Sequence, residues 1–236
     1  SHNQPDCLQN LPLMQQITMA GNYIACLDHQ GGVWIFGFSG CVVANARIFR
    51  GRVENLPPIK KIIAGYSHMF LLDHQGTAWT WTGGSNGAGQ LGLGDVLLPQ
   101  GPDQVPSQEF VQVPNLSMIV DGCCGFSSSF LCDINGDLWV CGTAQSILEG
   151  AVSPWSVSSF AKYSLPFKVQ SVYRVGLNFV LIDKNSKFWA CSIGLNHPSP
   201  TVVPPQKIVE ILPDHKALIL PQNKRFLQTK SARHCD

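Results

Sequence analysis

The chain has 236 residues, of which 44% are hydrophobic and 13% charged, with a net charge of +1. That length suits a single all-β domain with a sizeable core, and the charged fraction lies well below the ~25% of an ordinary globular chain. The near-neutral balance argues against partners held by a broad basic field, such as nucleic acid gripped through its phosphates. No apolar run reaches the ~18 residues of a membrane-spanning helix.

In chain order, residues 3–16 precede the first of five similar units. Within them, residues 8–13 resemble the stretches that end later units, such as 53–57. A unit-ending stretch placed ahead of the first unit is expected to supply the outer strand of the last one (residues 3–13) and so close a ring. Unit one (17–56) carries the turn Asp28-His29-Gln30-Gly31, with an apolar strand before it and Trp34 after it. Asp at the first place of such a turn accepts backbone hydrogen bonds, and Gly at the fourth tolerates positive φ.

Unit two (57–113) repeats this as Asp73-His74-Gln75-Gly76 and Trp79, then adds a glycine-rich stretch over 83–95. That stretch lacks the Lys-Ser/Thr ending of a phosphate-binding loop and reads as a tight connection. Residues 96–106, with Pro99, Pro102 and Pro106, form a loop or edge segment. Unit three (114–165) has Asp133-Ile134-Asn135-Gly136 and Trp139, followed by an irregular stretch over 143–163, part of which suits a short helix. Unit four (166–203) has Asp183-Lys184-Asn185-Ser186 and Trp189. The worn fifth copy (204–227) has Pro221-Gln222-Asn223-Lys224, with Leu227 in the tryptophan place, and residues 228–236 are a tail. Successive turns start 45, 60, 50 and 38 residues apart, which is the period of propeller blades and stacked arrays.

The strand after each turn is apolar on both faces: Val33 and Ile35 alternate with Trp34 and Phe36, Leu138 and Val140 with Trp139 and Cys141. A sheet with one wet face would alternate apolar and polar; radially stacked sheets bury both faces of their middle strands. The expectation is one all-β domain over residues 1–236, a five-bladed β-propeller closed by an N-terminal strand. The four tryptophans are expected to be largely buried between blades.

Little points to covalent chemistry. His29 and His74 hold the same turn position in two units, and no Gly-x-Ser-x-Gly elbow occurs. The nine cysteines form no C-x-x-C pair and read as small core residues in a reducing, cytoplasmic setting. No catalytic residue, cofactor or metal site is expected.

Ala64-Gly65-Tyr66-Ser67-His68, then Leu72-Asp73-His74-Gln75-Gly76, Trp79 and Gly89-Gln90-Leu91-Gly92 resemble the repeat of the regulator of chromosome condensation family. The likeness is closest in unit two and covers about residues 17–227. His68 matches the repeat histidine of that family, where it is structural. The resemblance implies a protein-interaction propeller that engages the small GTPase Ran, or a relative or regulator of it, and promotes its active state by nucleotide exchange. Similar repeats also occur in bacterial effectors that act in host cells. The alternative is a scaffold for a non-GTPase partner, without exchange activity.

The partner site is expected on loops that depart from the repeat, at Val96, Leu97, Leu98, Trp155, Phe160 and Tyr163, because repeat residues are committed to packing. A monomer without nucleic-acid partners is expected. At the end of the sequence, Cys235 stands behind Lys224, Arg225, Lys230 and Arg233. Prenylation needs a cysteine four residues from the end, so Cys235 meets the motif only if the natural chain runs two residues further. A lipidated form would sit at a membrane.

Overall fold

Every described copy of the Asp turn joins the second and third strands of a four-stranded antiparallel sheet. The computed structural model describes residues 11–21, 23–39, 47–94, 109–144, 148, 156–175, 178–191 and 201–202. Blade 1 is β1 (Met14–Ala20), β2 (Tyr23–Asp28), β3 (Val33–Ser39) and β4 (Arg47–Arg52). Blade 2 is β5 (Ile59–Ala64), β6 (Met69–Asp73), β7 (Ala78–Trp81) and β8 (Phe110–Gln112). Blade 3 is β9 (Ile119–Cys124), β10 (Ser128–Asp133), β11 (Leu138–Gly142) and β12 (Val157–Tyr163). Blade 4 is β13 (Val169–Val175), β14 (Asn178–Asp183), β15 (Phe188–Cys191) and β16 (Thr201–Val202). In each sheet neighbours in sequence are neighbours in space. The fifth copy lies outside the described residues.

The repeat's Asp ties its own turn. In blade 1, Asp28 Oδ1 accepts the Gln30 and Gly32 backbone N–H groups, both at 2.8 Å, while Oδ2 accepts Trp34 Nε1 at 2.9 Å. Asp73, Asp133 and Asp183 repeat all three bonds with their own turns and with Trp79, Trp139 and Trp189. The fourth turn position has φ of +85° at Gly31 and +80° at Gly76 and Gly136, and Ser186 holds 61° in blade 4. This glycine also faces the next blade. The Gly31, Gly76 and Gly136 carbonyls accept the N–H groups of Ile59, Ile119 and Val169, which open the following first strands. A Cβ on Gly76 would sit 2.9 Å from the Ile119 carbonyl oxygen, so the site excludes a side chain twice over.

Three buried cores lie between successive blades. Leu27, Val33 and Ile35 of blade 1 meet Ile62, Met69, Leu71 and Trp81 of blade 2. Phe70, Leu72 and Ala78 of blade 2 meet Ile119, Cys124 and Leu131 of blade 3. Phe130, Leu138 and Val140 of blade 3 meet Val172, Phe179 and Leu181 of blade 4, with helical Ala144 and Leu148 filling the edge. First strands are also keyed laterally. The Gln16 amide bonds both the N–H and the carbonyl of Ile62, and Lys61 pairs with Asp121.

Three expectations are refined. The four tryptophans are partly exposed, with Trp79, Trp139 and Trp189 packed against the cores between blades, because tying the indole N–H to the turn carboxylate keeps each ring beside the turn. Residues 11–13 carry no strand pairing, and the Leu13 carbonyl accepts the His29 N–H of its own blade. The stretch matched to 8–13, at 53–57, lies in the connector from β4 to β5; residues 8–10 lie outside the described set. Finally, the glycine-rich stretch is a strap between blades. Gly94 N–H donates to the Ser158 carbonyl of β12 at 2.8 Å, and Leu93 bridges Ser159.

Candidate functional site

The turns from first to second strand of blades 1, 2 and 3 lie side by side. In blade 2, Gly65 N–H donates to the His68 carbonyl at 2.9 Å, and in blade 3, Gly125 N–H donates to that of Ser128 at 2.7 Å. The two tips are joined, since Tyr66 N–H donates to the Gly125 carbonyl at 3.0 Å. Each is braced from behind. The Ser67 carbonyl accepts the Ser85 N–H, and the Ser127 carbonyl accepts the Thr143 N–H, both at 2.8 Å.

On this support stand two exposed rings. Tyr66 and Phe126 stack with centroids 4.6 Å apart and planes at 29°, and they remain 54% and 58% exposed. The next tip in the row, at Gly21, leads into Tyr23, whose ring turns inward edge-on to Trp81 at 4.7 Å. A stacked aromatic pair on a braced backbone presents apolar area at little entropic cost, which is the make-up of an interface anchor.

Beneath the rings the chemistry is closed off. His68 is fully buried and its Nε2 lies 2.8 Å from Ser129 Oγ. The Ser129 hydroxyl donates to the Gln90 carbonyl at 2.7 Å, which leaves its oxygen to accept from His68 Nε2. Burial pushes the imidazole pKa down to about 4. This His–Ser pair has its proton committed elsewhere and no route to solvent, so it is packing rather than a nucleophile. Burial likewise raises the Cys124 and Cys141 thiols and pushes Cys132 up to about 12, which makes them inert core groups. Among the described residues no group of three His, Cys, Asp or Glu side chains could hold a metal ion.

The residues expected at the partner site do not converge. Val96, Leu97, Leu98 and Trp155 lie outside the described residues. Phe160, half-buried on β12, packs edge-on against Phe70 with centroids 5.6 Å apart and covers Gly92. Tyr163, three residues on, faces the other way and lines a shallow cleft of about 210 Å³ with Asp137, Lys162 and Lys168. There Asp137 accepts from both lysines, whose hydrogen bonds hold its carboxyl below the usual range. Sequence reasoning missed Tyr66 and Phe126 as functional candidates. The available signal was an aromatic in the Gly-x-Ser tips of units two and three, where unit one has Gly21-Asn22.

Four consecutive four-stranded blades with these keyed turns match solved propellers. Human WBSCR16 superposes with a TM-score of 0.64 at 16% identity, over 82% of this chain and 55% of that one. Prp20p of Saccharomyces cerevisiae gives 0.61 at 19% identity, over 85% and 52%. This is the RCC1-like propeller fold. Yeast RCC1 (Prp20) bound to Kap60 gives 0.58 at 19% identity, over 79% and 48%. The chain therefore spans about half the length of the RCC1-like structures it resembles. No family model and no curated protein matches it. No helix among the described residues is long and apolar enough to cross a membrane.

Proposed function

We propose that the chain is a protein-interaction propeller whose tip face, centred on Tyr66 and Phe126, engages a small GTPase of the Ran kind and promotes its active state. The observation that carries this is the exposed stacked pair on turns hydrogen-bonded to one another. Exchange needs no covalent step: a surface that binds the nucleotide-free GTPase more tightly than the loaded one shifts the population toward release. Support from similar structures comes from Prp20p, described with its binding properties to Gsp1p and histones. On this reading the fifth repeat copy forms a fifth blade, with its outer strand supplied from residues 3–10, ahead of the 11–13 stretch that joins blade 1, and the protein acts as a monomer. Residues 96–98, Trp155, Phe160 and Tyr163 are further contact candidates, on more than one face. Action inside a host cell as a bacterial effector, with Cys235 as lipid acceptor, extends the same reading; equal membrane partition of wild type and Cys235→Ser in eukaryotic cells would exclude the lipid.

The test is release of a fluorescent guanine nucleotide from a panel of small GTPases. Acceleration by the wild type, lost in Tyr66→Ala/Phe126→Ala with an unchanged melting point, is the expected result. Binding without release supports the alternative, a scaffold without exchange activity. Acceleration that survives the double substitution overturns the tip face as the site.

A further inference from the structure

The Asp turns stand at the far end of the second strands from the Tyr66 and Phe126 tips. At that end each first strand carries a bulge opposite its turn Asp, and the extra residue is Gln15, Lys60, Val120 or Gln170. A bulge re-aims its extra side chain away from the ladder, so the place suits a polar group, yet blade 3 has valine. Two neighbouring places divide the same way. The residue just ahead of the first strand and the second residue of the Asp turn are Pro58 and His74 in blade 2 and Lys168 and Lys184 in blade 4. Blade 1 has Leu13 and His29, and blade 3 has Met118 and Ile134. The Ile134 N–H donates to the Met118 carbonyl at 2.9 Å, which holds the two together. Met118, Val120 and Ile134 are 50%, 41% and 54% exposed. A lone exposed apolar residue is ordinary; three on one corner, at places other copies fill with Lys, Gln or His, mark a contact surface.

Beside this apolar corner lies a basic one. The side chains of Lys168 and Lys184 cross the blade 3 turn, where a Cβ on Gly136 would lie 2.9 Å from Lys168 Cβ and 3.0 Å from Lys184 Cε. Lys162 and Lys168 share Asp137 at 2.6 and 2.5 Å. Three exposed lysines thus surround one partly exposed carboxylate, while Asp133 and Asp183 are each 2% exposed beneath their own turns. In a chain of net charge +1 this is a local excess of positive charge. Next to it the cleft of about 210 Å³ is walled by Tyr163, Leu165 and Phe167.

We propose that this corner of the Asp-turn face docks an acidic, apolar peptide segment of a partner protein. Apolar side chains of the segment cover Met118, Val120 and Ile134, and its Asp or Glu side chains meet Lys168 and Lys184. Charge complementarity selects the occupant. A second copy seated face to face would set lysine against lysine, and a lipid surface would leave the cleft beside Phe167 unfilled, whereas a peptide can place a side chain in it. The proposal is independent of the GTPase reading, which concerns the opposite end of the strands.

The test is selection of random linear peptides displayed on phage against the immobilised full-length chain, followed by Kd measurement on synthetic copies of those enriched. Val120→Gln/Ile134→His puts residues of other copies at the same places, so the fold should tolerate it. Lys184→Glu reverses one exposed charge. Enriched peptides should combine Asp or Glu with large apolar residues, bind more weakly as NaCl rises, and lose about tenfold or more in Kd with either variant. Tyr66→Ala/Phe126→Ala should leave that binding unchanged. Where the double variant does not fold, Lys184→Glu alone decides. Failure to enrich acidic, apolar peptides, or affinity kept in Lys184→Glu, overturns the proposal. Binding of phosphatidylserine vesicles that Lys184→Glu abolishes, with no peptide enriched, assigns the corner to a membrane surface. A dimer in sedimentation that the variants dissociate assigns it to a second copy, and either result overturns the peptide.

Discussion

The indole Nε1 of Trp139 donates to Asp133 Oδ2 at 3.0 Å, across a spacing of six residues shared by all four described blades. Asp133 is 2% exposed and also accepts from the Asn135 and Asp137 backbone and from Ser117 Oγ. Removing the carboxylate orphans several donors at once. Asp133→Ala is expected to lower stability by about 3–5 kcal/mol, since bonds to a charged group contribute ~1.5–3 kcal/mol each and do not add fully. Trp139→Phe, which removes one donor, should cost less than half as much. Urea denaturation of both variants measures the ratio, and equal losses would break this account of the turn.

Two sets of groups set the acid response. Burial opposes ionisation of Asp28, Asp133 and Asp183, but hydrogen bonds from their tryptophans and turn N–H groups outweigh it and hold the carboxyls below their usual range. Their stabilisation is present above the unfolded value near ~3.9 and is lost as pH falls through the folded values. His68 acts earlier. With its folded pKa about 4 against 6.5 unfolded, the unfolded chain binds more protons between those values. Stability should therefore be full above pH ~6.5 and decline as pH falls toward ~4, by roughly 3 kcal/mol. In His68→Gln that upper decline should vanish while the lower one remains; a profile unchanged by the substitution would exclude the histidine as its source.

Thr80 is fully buried between blades 2 and 3, and its Oγ1 has no hydrogen-bond partner. The same repeat position holds Ile35 and Val140, both buried. Thr80→Val keeps the shape and removes an unsatisfied hydroxyl, so it should stabilise by about 1–2 kcal/mol. Thermal unfolding reads the sign directly, and a lower melting point would mean that the hydroxyl is satisfied.

Gly92 holds φ +70°, and a Cβ there would collide with the Phe160 ring. Gly92→Ala is thus expected to lift the strap from β12, while Phe160→Ala opens a hole beside Phe70. Each should cost about 2–4 kcal/mol, Phe160 falling below a fully buried ring because it is half-buried. The pair should be strongly non-additive in a double-mutant cycle. Additive losses would show that the strap and the ring act separately.

The turns were legible because Asp, Gly and Trp do local work at fixed spacing, and the two-faced strands because burial on both sides removes polar alternation. The constant spacing of Asp and Trp also encodes their hydrogen bond. Other features depended on contacts that local pattern does not carry. Residues 11–13 read as part of a closing strand because connectors and outer strands share the same apolar-proline composition. Tyr66 and Phe126 read as repeat residues because their stacking joins turns 60 residues apart. Phe160 reads as a free aromatic on an irregular stretch because the glycine strap that lies against it is 68 positions earlier in the chain.

The lateral keys between first strands differ from one junction to the next. Blade 1 offers blade 2 an amide that reads backbone, and blade 2 offers blade 3 a cation that reads a carboxylate. Lys61 and Asp121 stand at the same place in their own copies as Gln16 and Ser171, twelve residues before the turn. Copies that share a turn and a core therefore carry distinct addresses. The first two junctions are thus told apart by a polar rung, separate from the signal that makes each copy a blade.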